Sequence, residues 1–185
     1  DNVVICPPTF GMYAVAARIQ GAEVREVPLL RERGYALDTD AVLAACDAHT
    51  RVVFLCSPNN PTGNAMDPAA ISRLLAELAG KALVVVDEAY IEFSGDTSFA
   101  ASLERFPNLV VLRTLSKAFG LAGARVGSLI ASPDIVALLS KVIPPYSIPQ
   151  LTIEAVLATL STPQLAVQRE RVVQIRAERD RMSAA

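Results

Sequence analysis

Tryptophan is absent, histidine occurs once (His49), and aromatic residues make up only 5% of this 185-residue chain. Any core must therefore be aliphatic, built from Val, Leu, Ile and Ala. Hydrophobic residues reach 52%, above the usual range for a soluble domain. That excess suits a sheet covered on both faces, whose strands read as continuous apolar runs. The three cysteines, Cys6, Cys46 and Cys56, include no CxxC pair. With a single histidine beside them, they argue against a disulfide framework or a zinc site, and each reads as a small buried hydrophobe. A reducing cytoplasm is the expected location. The formal net charge of -2 gives no electrostatic basis for binding nucleic acid or an anionic membrane. No apolar run approaches the roughly 20 residues that a membrane span needs, and no charged, apolar and small-residue signal pattern opens the chain. The length fits one domain, or one large domain with a short extension, able to bury roughly 70% of its unfolded surface. A strand-like run starts almost at Asp1, as in a piece of a longer protein.

Strand-like and helix-like segments alternate along the chain. Residues 3–6, 23–27, 51–56, 82–87, 109–112 and 126–131 read as strands, and 82–87 is the most continuous apolar run among them. Residues 10–19, 38–46, 67–79, 133–142, 151–160 and 163–182 read as helices. Asp38 or Thr39 is the N-cap of the second helix, and Asp67 caps the third with Pro68 in its first turn. The turn-rich segment Ser57-Pro58-Asn59-Asn60-Pro61-Thr62-Gly63 closes one strand. Strands separated by helices predict an α/β architecture with a mainly parallel sheet flanked by helices. In such sheets ligands bind beyond the carboxyl ends of the strands.

The unusual residues lie at those ends. Asp87 terminates the run Leu83-Val84-Val85-Val86, and a carboxylate there needs a partner because an isolated buried charge is costly. A helix cap or a surface ion pair would satisfy that need as well as a ligand would. Lys117 follows another apolar strand, among small and hydroxyl residues. Desolvation or a cationic neighbour could lower its pKa from about 10.4 and make it a nucleophile; alone, it also reads as a solvated surface group. Thr114, Ser116 and Arg125 could converge on a phosphate with two hydroxyls and a guanidinium fork. Asn60 is a polar side chain at a further strand end, although Pro-Asn-Asn-Pro by itself is only a turn.

Taken together, the order Asn-Pro-x-Gly, Asp-x-Ala-Tyr, Ser-Lys, then Arg, each after an apolar strand, resembles the large domain of fold-type I aminotransferases dependent on pyridoxal 5′-phosphate (PLP). Cys6-Pro7-Pro8-Thr9-Phe10-Gly11-Met12-Tyr13, Cys56 to Gly63, Val86-Asp87-Glu88-Ala89-Tyr90-Ile91-Glu92-Phe93 and Arg113 to Gly123 resemble the histidinol-phosphate aminotransferase family in particular. The resemblance runs through essentially the whole chain. It implies transamination between histidinol phosphate and 2-oxoglutarate in histidine biosynthesis, with an amino donor and a 2-oxo acid as small-molecule partners and a homodimer as the assembly. Lys117 would be the Schiff-base lysine and would move the proton between the substrate α-carbon and the cofactor. Asp87 would pair with the pyridine nitrogen, Asn60 and Tyr90 would bond the ring oxygen, and Phe10 would stack on the ring. Ala89 would leave the opposite face accessible, and Thr114, Ser116 and Arg125 would hold the phosphate.

The same resemblance implies that residues 1–162 are a PLP-binding large domain incomplete at both ends. Upstream would lie an arm, a first strand and a helix N-terminus facing the phosphate. Residues 163–185 would be a helix leading to a small C-terminal domain that supplies substrate-binding arginines. The lack of that first strand predicts an uncovered sheet edge. The Asn60–Pro61 bond is expected to be cis, and Asn60, Asp87 and Lys117 are expected in one cleft. A PLP-dependent decarboxylase of a phosphorylated amino acid would use the same cofactor residues. A non-catalytic scaffold would need neither Lys117 nor Asp87, and a Rossmann dehydrogenase would need a GxGxxG that is missing.

Overall fold

The computed structural model describes residues 1–184, so the last residue of the expected 163–185 helix lies outside the described residues. Six strands, β1 (Asn2–Ile5), β2 (Glu23–Glu26), β3 (Thr50–Cys56), β4 (Leu83–Asp87), β5 (Leu109–Thr114) and β6 (Gly127–Ala131), form one sheet in the order β2-β1-β3-β4-β5-β6. The first five run parallel, and β6 returns antiparallel to β5. Among the described residues seven α-helices accompany them: α1 (Met12–Ile19), α2 (Thr39–Ala45), α3 (Pro68–Glu77), α4 (Ile91–Ser94), α5 (Pro133–Ser140), α6 (Gln150–Thr159) and α7 (Thr162–Ser183).

The continuous apolar runs became the central strands, as strands covered on both faces require. On one face Val53 and Leu55 of β3, Val84 and Val86 of β4, and Leu109 and Val111 of β5 pack with Val42 of α2 and Ile71, Leu74 and Leu75 of α3. On the other face Ile5 and Cys56 pack with Tyr13 and Ala14 of α1. Asp38 is the residue that caps α2, accepting the Ala41 N–H at 3.0 Å. Asp67 accepts the Ala69 N–H at 2.8 Å with Pro68 in the first turn of α3. That helix stops at Glu77, two residues short of the expected end, and a turn follows to Gly80. Of the cysteines, Cys6 and Cys56 are buried as expected, while Cys46 is only half-buried.

β5 runs two residues past its apolar stretch, through Arg113 and Thr114, because β6 pairs with them. Residues 115–126 form no crossover helix long enough for a parallel return, so β6 doubles back. Gly127 permits the close pairing: a Cβ there would stand 2.9 Å from the Arg113 carbonyl oxygen. β6 is an edge strand whose Gly127, Ser128 and Leu129 are exposed, in line with the uncovered edge. Nothing on α5 or α6 is buried, and only Val172 is buried on α7. Among the described residues no helix is long and apolar enough to cross a membrane.

Candidate active site

Parallel pairing brings the carboxyl ends of β1, β3, β4 and β5 to the same side of the sheet. Cys56 sits opposite Asp87, and Asp87 opposite Leu112. Antiparallel β6 contributes its amino end there, with Gly127 opposite Thr114, and so places Arg125 beside the other termini. The result is a cleft of about 520 Å³ whose lining includes Phe10, Asp87, Ala89, Ser116, Lys117 and Arg125. Thr114 lines it as well.

Asp87 is half-buried, and both of its oxygens are held. The Ala89 N–H donates to Oδ1 at 3.0 Å, and the Tyr13 hydroxyl donates to Oδ2 at 2.6 Å. Tyr13 stacks on Phe54 of β3 at 4.8 Å between ring centroids and meets Phe10 edge-on at 5.6 Å. Burial, then the neighbouring Cys56 and Asp87, push the Tyr13 phenol far above its ordinary pKa, so its proton stays in place to be donated. Burial also raises the Cys56 thiol.

The β5–β6 turn carries the basic groups. The Ser116 N–H donates to the Thr114 hydroxyl oxygen at 3.1 Å, which folds the chain sharply after the strand. Arg125, at a positive φ of 56°, donates to the Ala122 carbonyl at 3.0 Å. Lys117 is exposed instead of desolvated by its neighbours. Its Nζ lies 5.3 Å from the centroid of the Tyr90 ring.

Asn60 departs from the expectation of a single cleft. With Tyr90 it lines an adjoining hollow of about 460 Å³, bounded on its far side by Ile175, Arg176 and Arg179 of α7. The two hollows meet where Lys117 faces Tyr90. The segment after β1 contains one cis bond, Pro7–Pro8, and the loop after β3 contains two, Ser57–Pro58 and, as expected, Asn60–Pro61. Asn59, not Asn60, pins that loop. It is buried, donates to the Pro8 carbonyl at 2.9 Å and the Thr62 hydroxyl at 2.6 Å, and accepts from the Thr9 hydroxyl at 3.2 Å.

The sequence motif concealed a second structural residue in Glu88, which is 1% exposed. It accepts the Ser98 hydroxyl at 2.6 Å and the Phe99 N–H at 2.7 Å, and it faces Arg113 at 3.5 Å. Arg113 also pairs with Glu92. A buried carboxylate demands such partners, so an acidic residue directly after a buried strand was the available signal. Alternation sends it to the face opposite Asp87. Asn59 and Glu88 have protein partners on their side-chain polar atoms, and Arg113 pairs with two carboxylates. The side chains of Asn60, Tyr90, Ser116 and Lys117, which line the two hollows, make no hydrogen bond to protein among the described residues.

Comparison with known proteins places this arrangement. The chain is 52% identical over 187 residues to a histidinol-phosphate aminotransferase of Xanthomonas campestris, covering all of this chain and 52% of that protein. It spans about half the length of the curated relatives it matches. In structure it is similar to the histidinol-phosphate aminotransferase of Clostridium acetobutylicum, with a TM-score of 0.88 and 25% identity over 98% of this chain and 54% of that one. It is also similar to an L-threonine-O-3-phosphate decarboxylase of Porphyromonas gingivalis, with a TM-score of 0.73 and 27% identity over 88% of this chain and 47% of that one. PLP is the cofactor of the family that these matches share. The aminotransferase class I and II family matches residues 1–185 without interruption, and the chain belongs to it.

Proposed function

We propose that this chain supplies the cofactor-binding core of a PLP-dependent aminotransferase that converts histidinol phosphate and 2-oxoglutarate to imidazole acetol phosphate and glutamate. The observation that carries the reading is the placement of Asp87 and Lys117 in one cleft, at the ends of neighbouring parallel strands. The donor set fits PLP. A carboxylate stands at one point of the cleft, an amine and a guanidinium stand at another, and the lining hydroxyl and amide groups keep their hydrogen-bonding capacity.

Bound PLP supplies an electron sink for the charge that develops at the substrate α-carbon. Asp87 would accept the pyridinium N–H and favour the protonated nitrogen. Phe10 covers one ring face, and small Ala89 leaves room at the other. Ser116 and Arg125 hold the phosphate. Thr114 has a lesser part there, since its oxygen already accepts the Ser116 N–H. Asn60 and Tyr90, which line the adjoining hollow, would bond the ring oxygen. Lys117 would hold the cofactor through its amine and would carry the proton from the substrate α-carbon.

Residues 1–162 act as the cofactor-binding domain, and the helix from 163 leads toward a substrate-binding domain. The working assembly is a homodimer in the cytoplasm, which would cover the apolar residues left exposed on α5 and α6. The test is an assay of the full-length protein with PLP. Glutamate should form from 2-oxoglutarate only when histidinol phosphate is present. Release of carbon dioxide from phosphothreonine without glutamate formation would favour a decarboxylase, and PLP binding with neither activity would favour a scaffold.

A further inference from the structure

We infer that Tyr13 is the positioning residue of this site, a single side chain that fixes both the carboxylate meant for the ring nitrogen and the aromatic ring meant for the cofactor face. The inference rests on the PLP reading above. Tyr13 is 6% exposed and locked by its stack on Phe54. From that position its hydroxyl reaches Asp87 Oδ2 at 2.6 Å, and its ring edge meets Phe10 at an interplanar angle of 81°. The two contacts point to the two residues of the cleft whose orientation matters most.

Asp87 would otherwise be held on one side only, by the Ala89 N–H. With a donor on each oxygen its carboxylate plane cannot rotate. A carboxylate offers about four lone-pair sites, so capacity remains for a third donor from the cleft. The raised Tyr13 pKa matters because the phenol then only donates. A tyrosine that served only to fill the core would need no hydroxyl aimed at a cleft carboxylate. The ring and the hydroxyl therefore have separable tasks: the ring backs Phe10, and the hydroxyl orients Asp87.

The experiment measures PLP affinity of the full-length apoprotein by absorbance titration, beside its thermal unfolding without cofactor. Tyr13→Phe keeps the ring and should weaken PLP roughly ten- to hundredfold, as the loss of a hydrogen bond to a charged group implies. The apoprotein melting temperature should stay within about 3 °C. Tyr13→Leu should weaken PLP further, because Phe10 loses its backing. In an Asp87→Ala background the Tyr13→Phe effect should vanish, the mark of a residue acting through another. Unchanged affinity in Tyr13→Phe, or an equal loss with and without Asp87, overturns the inference. So does a fall in apoprotein stability that accounts for the whole affinity loss. If Asp87→Ala weakens PLP while Tyr13→Phe does not, the cofactor reading stands and the Tyr13 role alone falls. If the unaltered protein fails to bind PLP, both fall.

Discussion

Replacing Glu88 by alanine would strike the most deeply buried charge near the site without touching the cleft itself. The substitution strips the Ser98 hydroxyl and the Phe99 N–H of their acceptor and leaves Arg113 facing a void. Breaking a buried pair by removing one partner costs about 3–5 kcal/mol. Arg113 keeps Glu92, whose side chain is 13% exposed, so the expected loss lies near the low end, about 3 kcal/mol. Glu88→Gln keeps the shape and an acceptor for the Phe99 N–H, and should cost only about 1–2 kcal/mol. As a contrast, Arg73→Ala breaks an exposed pair with Asp40 and should stay within about 1 kcal/mol of the parent. Urea unfolding of the full-length protein, followed by circular dichroism, would read these as midpoint shifts at unchanged slope. A Glu88→Ala protein that unfolds with the parent would refute the view that this network holds the strand end on which Asp87 sits.

Lys117→Ala should abolish transamination while leaving non-covalent PLP bound, and spectral titration with a turnover assay would show both; near-normal turnover would remove Lys117 from its role. Asp87→Ala should reduce both PLP affinity and rate, by at least tenfold each if its bond to the ring is that of a charged acceptor. Burial, with Cys46 nearby, pushes the Cys6 thiol up to about 12, so its stabilising contribution is complete below the unfolded value of about 8.5 and declines as pH rises toward 12. Cys6→Ala should accordingly lose less stability between pH 9 and 11 than the parent does, measured by urea unfolding across that range. The exposed β6 edge and the apolar α5–α6 surface predict that the isolated 185-residue chain dimerises or aggregates, and light scattering that showed a stable, concentration-independent monomer would contradict this.

Local chemistry made much of this protein legible in its sequence. Aliphatic runs of four to six residues can hardly be anything but buried strands when turns and helical spacing bound them. Asp67 followed by Pro68 could cap a helix without any knowledge of what lay beside it. The residues of the cleft were visible for a similar reason, since polar groups at the ends of apolar runs are conspicuous, and their joint order resembled one family. Strand order, strand direction and partnership had to come from the tertiary structure. Tyr13 and Asp87 are 74 residues apart, and only the pairing of β1 with β3 and of β3 with β4 brings helix α1 over the end of β4. Glu88 and Arg113 meet for the same reason across 25 residues. Between Asn59 and Asn60 the local sequence offers no choice of roles, because burial depends on which way the loop turns against Pro8 and Thr9. Periodicity records what each segment prefers, whereas a hydrogen bond between distant side chains exists only once the sheet has set their separation.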